Sequence, residues 1–229
     1  MNTSEQKVSS VEINCKCEAQ AKTAILNFLD KLGIKKIVYV DDRCSINELK
    51  EAFVGKLKAH YNNKPCELDF LNWELPEPVF EKEITKLWDD KSDEEKRELY
   101  LKILRFENNL EELSNSVAPL RLKTILKDKI ELLAPSEWIV QKSSIINELS
   151  NNTKILFLFD IEFKHAPLPD NRDGRDLAFE LLQDSTVCKF LYCGIFSHLF
   201  NINDEYDRRC EYCKTHHLDK EKFYTISKK

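Results

Sequence analysis

Glycine and proline are scarce in this chain, at 4 and 7 of 229 residues. A loop-rich all-β protein draws on both for its turns, so that class is not expected, and neither is a long flexible linker. No run of about 18 apolar residues occurs, and a membrane-spanning helix is therefore not expected. Residues 1–20 are polar and lack an apolar core of signal-peptide length, which leaves the cytoplasm as the expected location. Basic residues are not in excess. With 35 Lys and Arg against 40 Asp and Glu the formal net charge is −5. A uniformly basic surface for nucleic acid is thereby not expected.

What is present is apolar and charged in quantity, 42% and 33% of the residues. The apolar share is enough for one large core, and the charged share points to long solvated helices. The 8 cysteines read as reduced thiols. Cys188 and Cys193 flank or occupy an apolar run, and Cys66 precedes another.

Residues 1–13 read as a loosely attached tail. Residues 19–32 carry Ala21, Ile25, Phe28, Leu29 and Leu32 at helical spacing, with Gly33 placed to end the helix. Residues 37–40 form a short continuous apolar run, the signature of a strand buried on both faces. It stops at Asp41-Asp42. Ser45, with Glu48 three residues on, predicts a capped helix to about residue 61. Residues 68–73 are a candidate second strand. From about 79 to 133, Leu, Ile and Trp recur at helical spacing among charges (Ile84, Leu87, Trp88; Leu99, Ile103, Phe106; Leu122, Ile125, Leu126, Ile130, Leu133). This predicts two or three amphipathic helices, with Pro119 near a junction, and Trp88 and Trp138 as core residues. Ser136 reads as the cap of a helix to about 149. Residues 155–159 are the strongest strand signal, ending at Asp160. A helix over 175–183, a strand over 190–196, a helix over 204–216 and a last strand over 223–226 follow.

Alternating elements of this kind predict an α/β fold with a parallel sheet and right-handed crossovers. In such folds ligands meet the carboxyl ends of the strands. Asp41, Asp42 and Asp160 all fall there, directly after buried-type strands. Three converging carboxylates repel one another unless a cation sits among them. Hard oxygen donors without His or Cys point to Mg²⁺ or Mn²⁺ rather than zinc.

These residues carry a family resemblance. Ile37-Val38-Tyr39-Val40-Asp41-Asp42 resembles the first strand and acidic pair of the receiver domain, the phosphoacceptor module of two-component response regulators. Leu156-Phe157-Leu158-Phe159-Asp160-Ile161-Glu162 is similar to its third strand and phosphoacceptor. Asp173-Gly174, followed by Leu177, Leu181 and Leu182, is similar to the Asp-Gly and helix beyond. Phe223-Tyr224-Thr225-Ile226-Ser227-Lys228 is similar to the last strand and its lysine. The resemblance implies a doubly wound, five-stranded, flavodoxin-like sheet over residues 34–229, preceded by a tail and helix over 1–33. A helical insertion at about 75–135 would separate the second strand from the second helix. It also implies Asp160 as phosphoacceptor, Asp41, Asp42, Asp160 and the Glu162 backbone carbonyl as metal ligands, Lys228 as the partner of the phosphoryl oxygens, and Ser197 as the hydroxyl that follows the phosphorylated state. The partners implied are a histidine kinase or phosphotransfer protein, a downstream effector domain or partner protein, and a second copy in a dimer. A pseudo-receiver, signalling by binding alone, has the same sequence features. The pattern departs from the family at the large insertion, at Gly194 in the fourth strand, in the Pro167 and Pro169 loop, and in ending at the lysine. The last departure predicts either a piece of a longer protein or a final helix replaced by the N-terminal one.

Three other patterns compete. Asp160, Glu162 and Lys164 match the acidic-x-Lys pattern of metal-dependent restriction-type nucleases. Asp160-x-Glu162 loosely matches the acidic pair of haloacid-dehalogenase-like phosphatases. Cys210, Cys213, His216 and His217, with Cys15 and Cys17, have the composition of a zinc site. The spacing of Cys210, Cys213 and His217 also fits one face of a helix, and that is the expectation here.

Overall fold

The computed structural model describes residues 19–20, 22–150, 152–164 and 167–228, excluding the side chains of Asn47 and Glu48. The expected tail of residues 1–13, Ala21, Cys15, Cys17 and the Glu48 capping side chain fall outside it.

After a helix over residues 22–32 (α1) come β1 (Ile34–Val40) and four helices, α2 (Ile46–His60), α3 (Glu77–Asp89), α4 (Asp93–Phe106) and α5 (Leu110–Leu126). Then follow β2 (Ile130–Leu133), α6 (Pro135–Asn147), β3 (Lys154–Phe159), α7 (Gly174–Gln183), β4 (Leu191–Ser197), α8 (Glu205–Thr215) and β5 (Phe223–Ser227). All strand pairs are parallel, in the order β2-β1-β3-β4-β5. This is the doubly wound, flavodoxin-like order, here with a helical insertion.

The strands are apolar on both faces because both are covered. Val38, Val40, Phe157, Phe159, Cys193 and Ile195 point to the side of α6, α7 and α8. Trp138 of α6 is fully buried between Phe157 and Phe159, at 5.5 Å from each ring. Ile37, Tyr39, Leu156, Leu158 and Tyr192 point the other way, toward Leu29 of α1 and Leu126 of α5. Phe28 meets Tyr224 edge-on at 5.7 Å, so α1 covers the β4–β5 side of that face.

Two expectations about the second strand need correction. Residues 68–73 are turns. Leu68 and Trp73 are buried there because they seal a separate helical core built on Phe53, Phe80, Ile84, Trp88 and Leu104. The second strand is β2, whose Ile37↔Ile130 to Val40↔Leu133 register makes it the sheet edge. Ile130 and Leu133 therefore do not continue the helical stripe, and the helical block lies between β1 and β2. Pro119 is not at a junction but buried inside α5. A proline there costs about 3 kcal/mol of helix stability, which burial of the helix outweighs. Ser45 caps α2 by position, without a side-chain bond. The cap of α6 is Ala134, not Ser136, and the Glu137 carboxylate accepts the Ala134 N–H at 2.7 Å.

Gly33 closes α1 at φ 71°. A Cβ there would meet nothing nearer than Lys154 at 3.9 Å, so only the backbone conformation resists substitution. Gly33→Ala is expected to cost about 1 kcal/mol in urea unfolding. An unchanged midpoint would contradict this.

Candidate functional site

The carboxyl edge of the sheet assembles the site. Val40 is in register with Phe159, so the residues that follow, Asp41 and Asp160, emerge side by side. Asp160 N donates to Val40 O at 3.0 Å and Asp41 N to Leu133 O at 3.1 Å. Ser197 pairs with Ser227, and the next residue, Lys228, donates its N–H to Ser197 O at 3.1 Å. β4 runs unbroken through Gly194 and ends at Ser197.

Asp41, Asp42 and Asp160 are fully buried. The Lys228 ammonium bridges Asp41 Oδ2 and Asp160 Oδ2, at 2.8 Å from each. The Asp160 Oδ1 accepts the Ile161 N–H at 2.8 Å. Tyr39 donates its hydroxyl to Asp41 Oδ2, and Asp41 Oδ1 accepts the Arg43 N–H at 2.9 Å. Gly174 makes a close approach possible: a Cβ at that position would sit 1.7 Å from the Asp160 carbonyl oxygen.

The residue that sequence reasoning missed is Arg43. Its side chain is 1% exposed, and Nη1 lies 3.0 Å from Asp42 Oδ1, 3.4 Å from Asp160 Oδ2 and 3.6 Å from Asp41 Oδ1. The other edge of the guanidinium forms a two-pronged pair with Glu112 of α5, at 3.0 and 2.8 Å. Arg97 of α4 donates to the Arg43 carbonyl at 3.1 Å and to the Cys44 carbonyl at 2.7 Å. Arg43 was visible as the neighbour of the acidic pair. No sequence signal links it to Glu112, which reaches the site from the helical block.

The charges set one another's ionisation. Burial opposes charge on Asp41, but Lys228 and Arg43 outweigh it and hold its carboxyl well below the usual range. At Asp160 burial comes first and the Asp41 charge second, and together they raise its pKa against Lys228 and Arg43. Burial works against the Lys228 ammonium, yet Asp41 and Asp160 raise its pKa.

These residues do not fit Mg²⁺ or Mn²⁺ as they stand. A hard cation of this size wants about six oxygens near 2.1 Å. The space between the aspartates is filled instead by a guanidinium, already a counter-charge. Among the described residues no group of three or more His, Cys, Asp or Glu is arranged to hold a metal ion.

The remaining candidates separate. The Ser197 hydroxyl is buried and accepts the Leu199 N–H at 3.3 Å. The Glu162 side chain, two residues past Asp160, pairs with Lys164 at 2.8 Å on the solvent side, between the buried Ile161 and Phe163. Cys213 is buried, and His216 stacks on Phe179 with centroids 4.1 Å apart, so this helix face packs against α7. The described cysteines are all free thiols. No helix among the described residues is long and apolar enough to cross a membrane.

Comparison of the chain with protein-family models, curated proteins and solved structures gave no match.

Proposed function

We propose that this chain is a receiver-like signalling domain that acts by binding a partner, with its acidic site held in one state by built-in cations. The observation that carries this reading is the Arg43 guanidinium within 3.0–3.6 Å of all three aspartates. Charge that a receiver would offset with a metal is offset in part here by Arg43 and Lys228. Both Asp160 oxygens have hydrogen-bond donors, Ile161 N–H on one and Lys228 on the other, and the side chain has no solvent exposure. A nucleophile in that position is shielded from a phosphoryl donor.

A second reading, Mg²⁺-dependent phosphoryl acceptance on Asp160 from a histidine kinase or phosphotransfer protein, draws on the 2.8 Å Lys228–Asp160 pair. It requires Arg43 to leave the cluster. Beryllofluoride with Mg²⁺ distinguishes the two. Amide NMR of the protein is expected to show no shifts at Asp160, Ile161 and Gly174 on addition. Saturable shifts at those amides would establish the second reading and sink the first.

A further inference from the structure

We propose that the cleft between α5 and the carboxyl ends of β4 and β5 is a docking groove for a protein partner that presents an acidic, amphipathic segment. This rests on the reading of the chain as a binding domain and names the surface that binds.

The groove encloses about 530 Å³. Val117, Ile125 and Phe196 give it apolar lining, and Arg105, Arg121 and Lys228 line it as well. A second cavity of about 550 Å³ shares Leu110, Ser114 and Lys228 with it and continues toward Leu199. Leu110, at the junction of the two, is 67% exposed.

The shape argues for a polypeptide. Leu110, Leu113, Val117, Arg121 and Ile125 recur at helical spacing, so one face of α5 lines the groove for about four turns. An apolar stripe of that length matches a helix or strand laid alongside, not a compact small molecule. Leu113, Val117, Ile125 and Phe196 are half-buried and Leu110 is exposed, which leaves apolar surface for a partner to cover.

The charge argues for an acidic one. The chain carries a net charge of −5, yet no Asp or Glu lines the main groove among the described residues, and Glu111, in the adjoining cavity, faces His198 at 3.2 Å. Arg105 has a single ion-pair contact among the described residues, 3.6 Å to Glu98. Arg121 has no ion pair among the described residues. Complementary charge around an apolar floor selects the partner and sets its register. The Lys228 ammonium turns away from the groove into Asp41 and Asp160, so a bound segment abuts the ionic cluster directly.

The probe is a fluorescein-labelled synthetic helical peptide with leucines at i, i+3 and i+7 and glutamates on its flanks. Its control is the same peptide with lysine in place of glutamate. Anisotropy is read on the full chain without Mg²⁺ or beryllofluoride. The glutamate peptide is expected to bind at least about tenfold more tightly than the lysine peptide, and R105E/R121E is expected to reverse that preference. Amide shifts are expected at Val117, Arg121 and Phe196. Equal affinity for the two peptides, no binding, or shifts confined to another surface would overturn the proposal. So would light scattering that shows a dimer of the chain abolished by R121E, because the occupant would then be a second copy. The two readings fail separately. A chain that responds to beryllofluoride but binds the glutamate peptide overturns only the locked-site reading. A chain inert to beryllofluoride that ignores the peptide overturns only the groove.

Discussion

Replacing Arg43 with methionine is expected to lower the unfolding free energy by about 3–5 kcal/mol, the range for removing one partner of a buried charge network. Four carboxylates, of Asp41, Asp42, Asp160 and Glu112, surround Arg43 and Lys228. Without the guanidinium, Asp41 and Asp160 keep Lys228, Asp42 loses its 3.0 Å Arg43 pair, and Glu112 loses its two-pronged partner. Methionine keeps the apolar stem and lacks the guanidinium head, so lost stem packing is a small part of the effect. The same substitution opens the space that a divalent cation needs. Mg²⁺ at millimolar concentration is therefore expected to raise the urea midpoint of Arg43→Met while leaving the parent chain unchanged. A loss under about 1 kcal/mol would remove the guanidinium from the role assigned to it. An equal Mg²⁺ response in both proteins would show that Arg43 does not hold the place of the metal.

Gly174→Ala is expected to cost about 3 kcal/mol or more, beyond the usual range for one added methyl group in a core. The obstacle is backbone, since the new Cβ would lie 1.7 Å from the Asp160 carbonyl oxygen and 2.8 Å from its carbonyl carbon. Neither can rotate away. Relief requires the first turn of α7 to retreat from the β3 end, which loosens the Gly174 N–H to Ile161 carbonyl bond and the Leu177 and Phe179 packing. The damage is thus expected to reach Asp160, visible as loss of its amide's protection from hydrogen exchange, alongside the lower urea midpoint. Full protection with parent-like stability would mean the turn accommodates a side chain after all.

The parts of this fold legible in the sequence are those where one physical signal dominates. β1, β3, β4 and β5 are short apolar runs because both sheet faces are covered, and such runs stand out against charged neighbours. β2 is four residues, Ile-Glu-Leu-Leu, at the sheet edge, and its Ile130 and Leu133 happen to extend the spacing of Leu122, Ile125 and Leu126 in α5. Spacing alone does not separate the two. Residues 68–73 misled for the opposite reason: Leu68 and Trp73 are apolar for the sake of a neighbouring helical core, not a sheet. At the site, the juxtaposition of Asp41, Asp42, Asp160 and Lys228 was recoverable because each follows a strand. Their pairing with a guanidinium was not, because it depends on Arg43 and on Glu112, which holds its other edge and is brought from α5 by tertiary packing.

The place of β2 has a consequence for how the chain folds. β1 is made early, yet its neighbours β2 and β3 come only after four helices have been synthesised. The local contacts of α2, α3 and α4 can form quickly, while the β1 pairings wait on closure of a long loop. During that interval Ile37-Val38-Tyr39-Val40 is an unpaired, uncharged β-forming segment of the kind that seeks strands in other chains. The helical block thus sets the delay before the sheet is safe from misassembly.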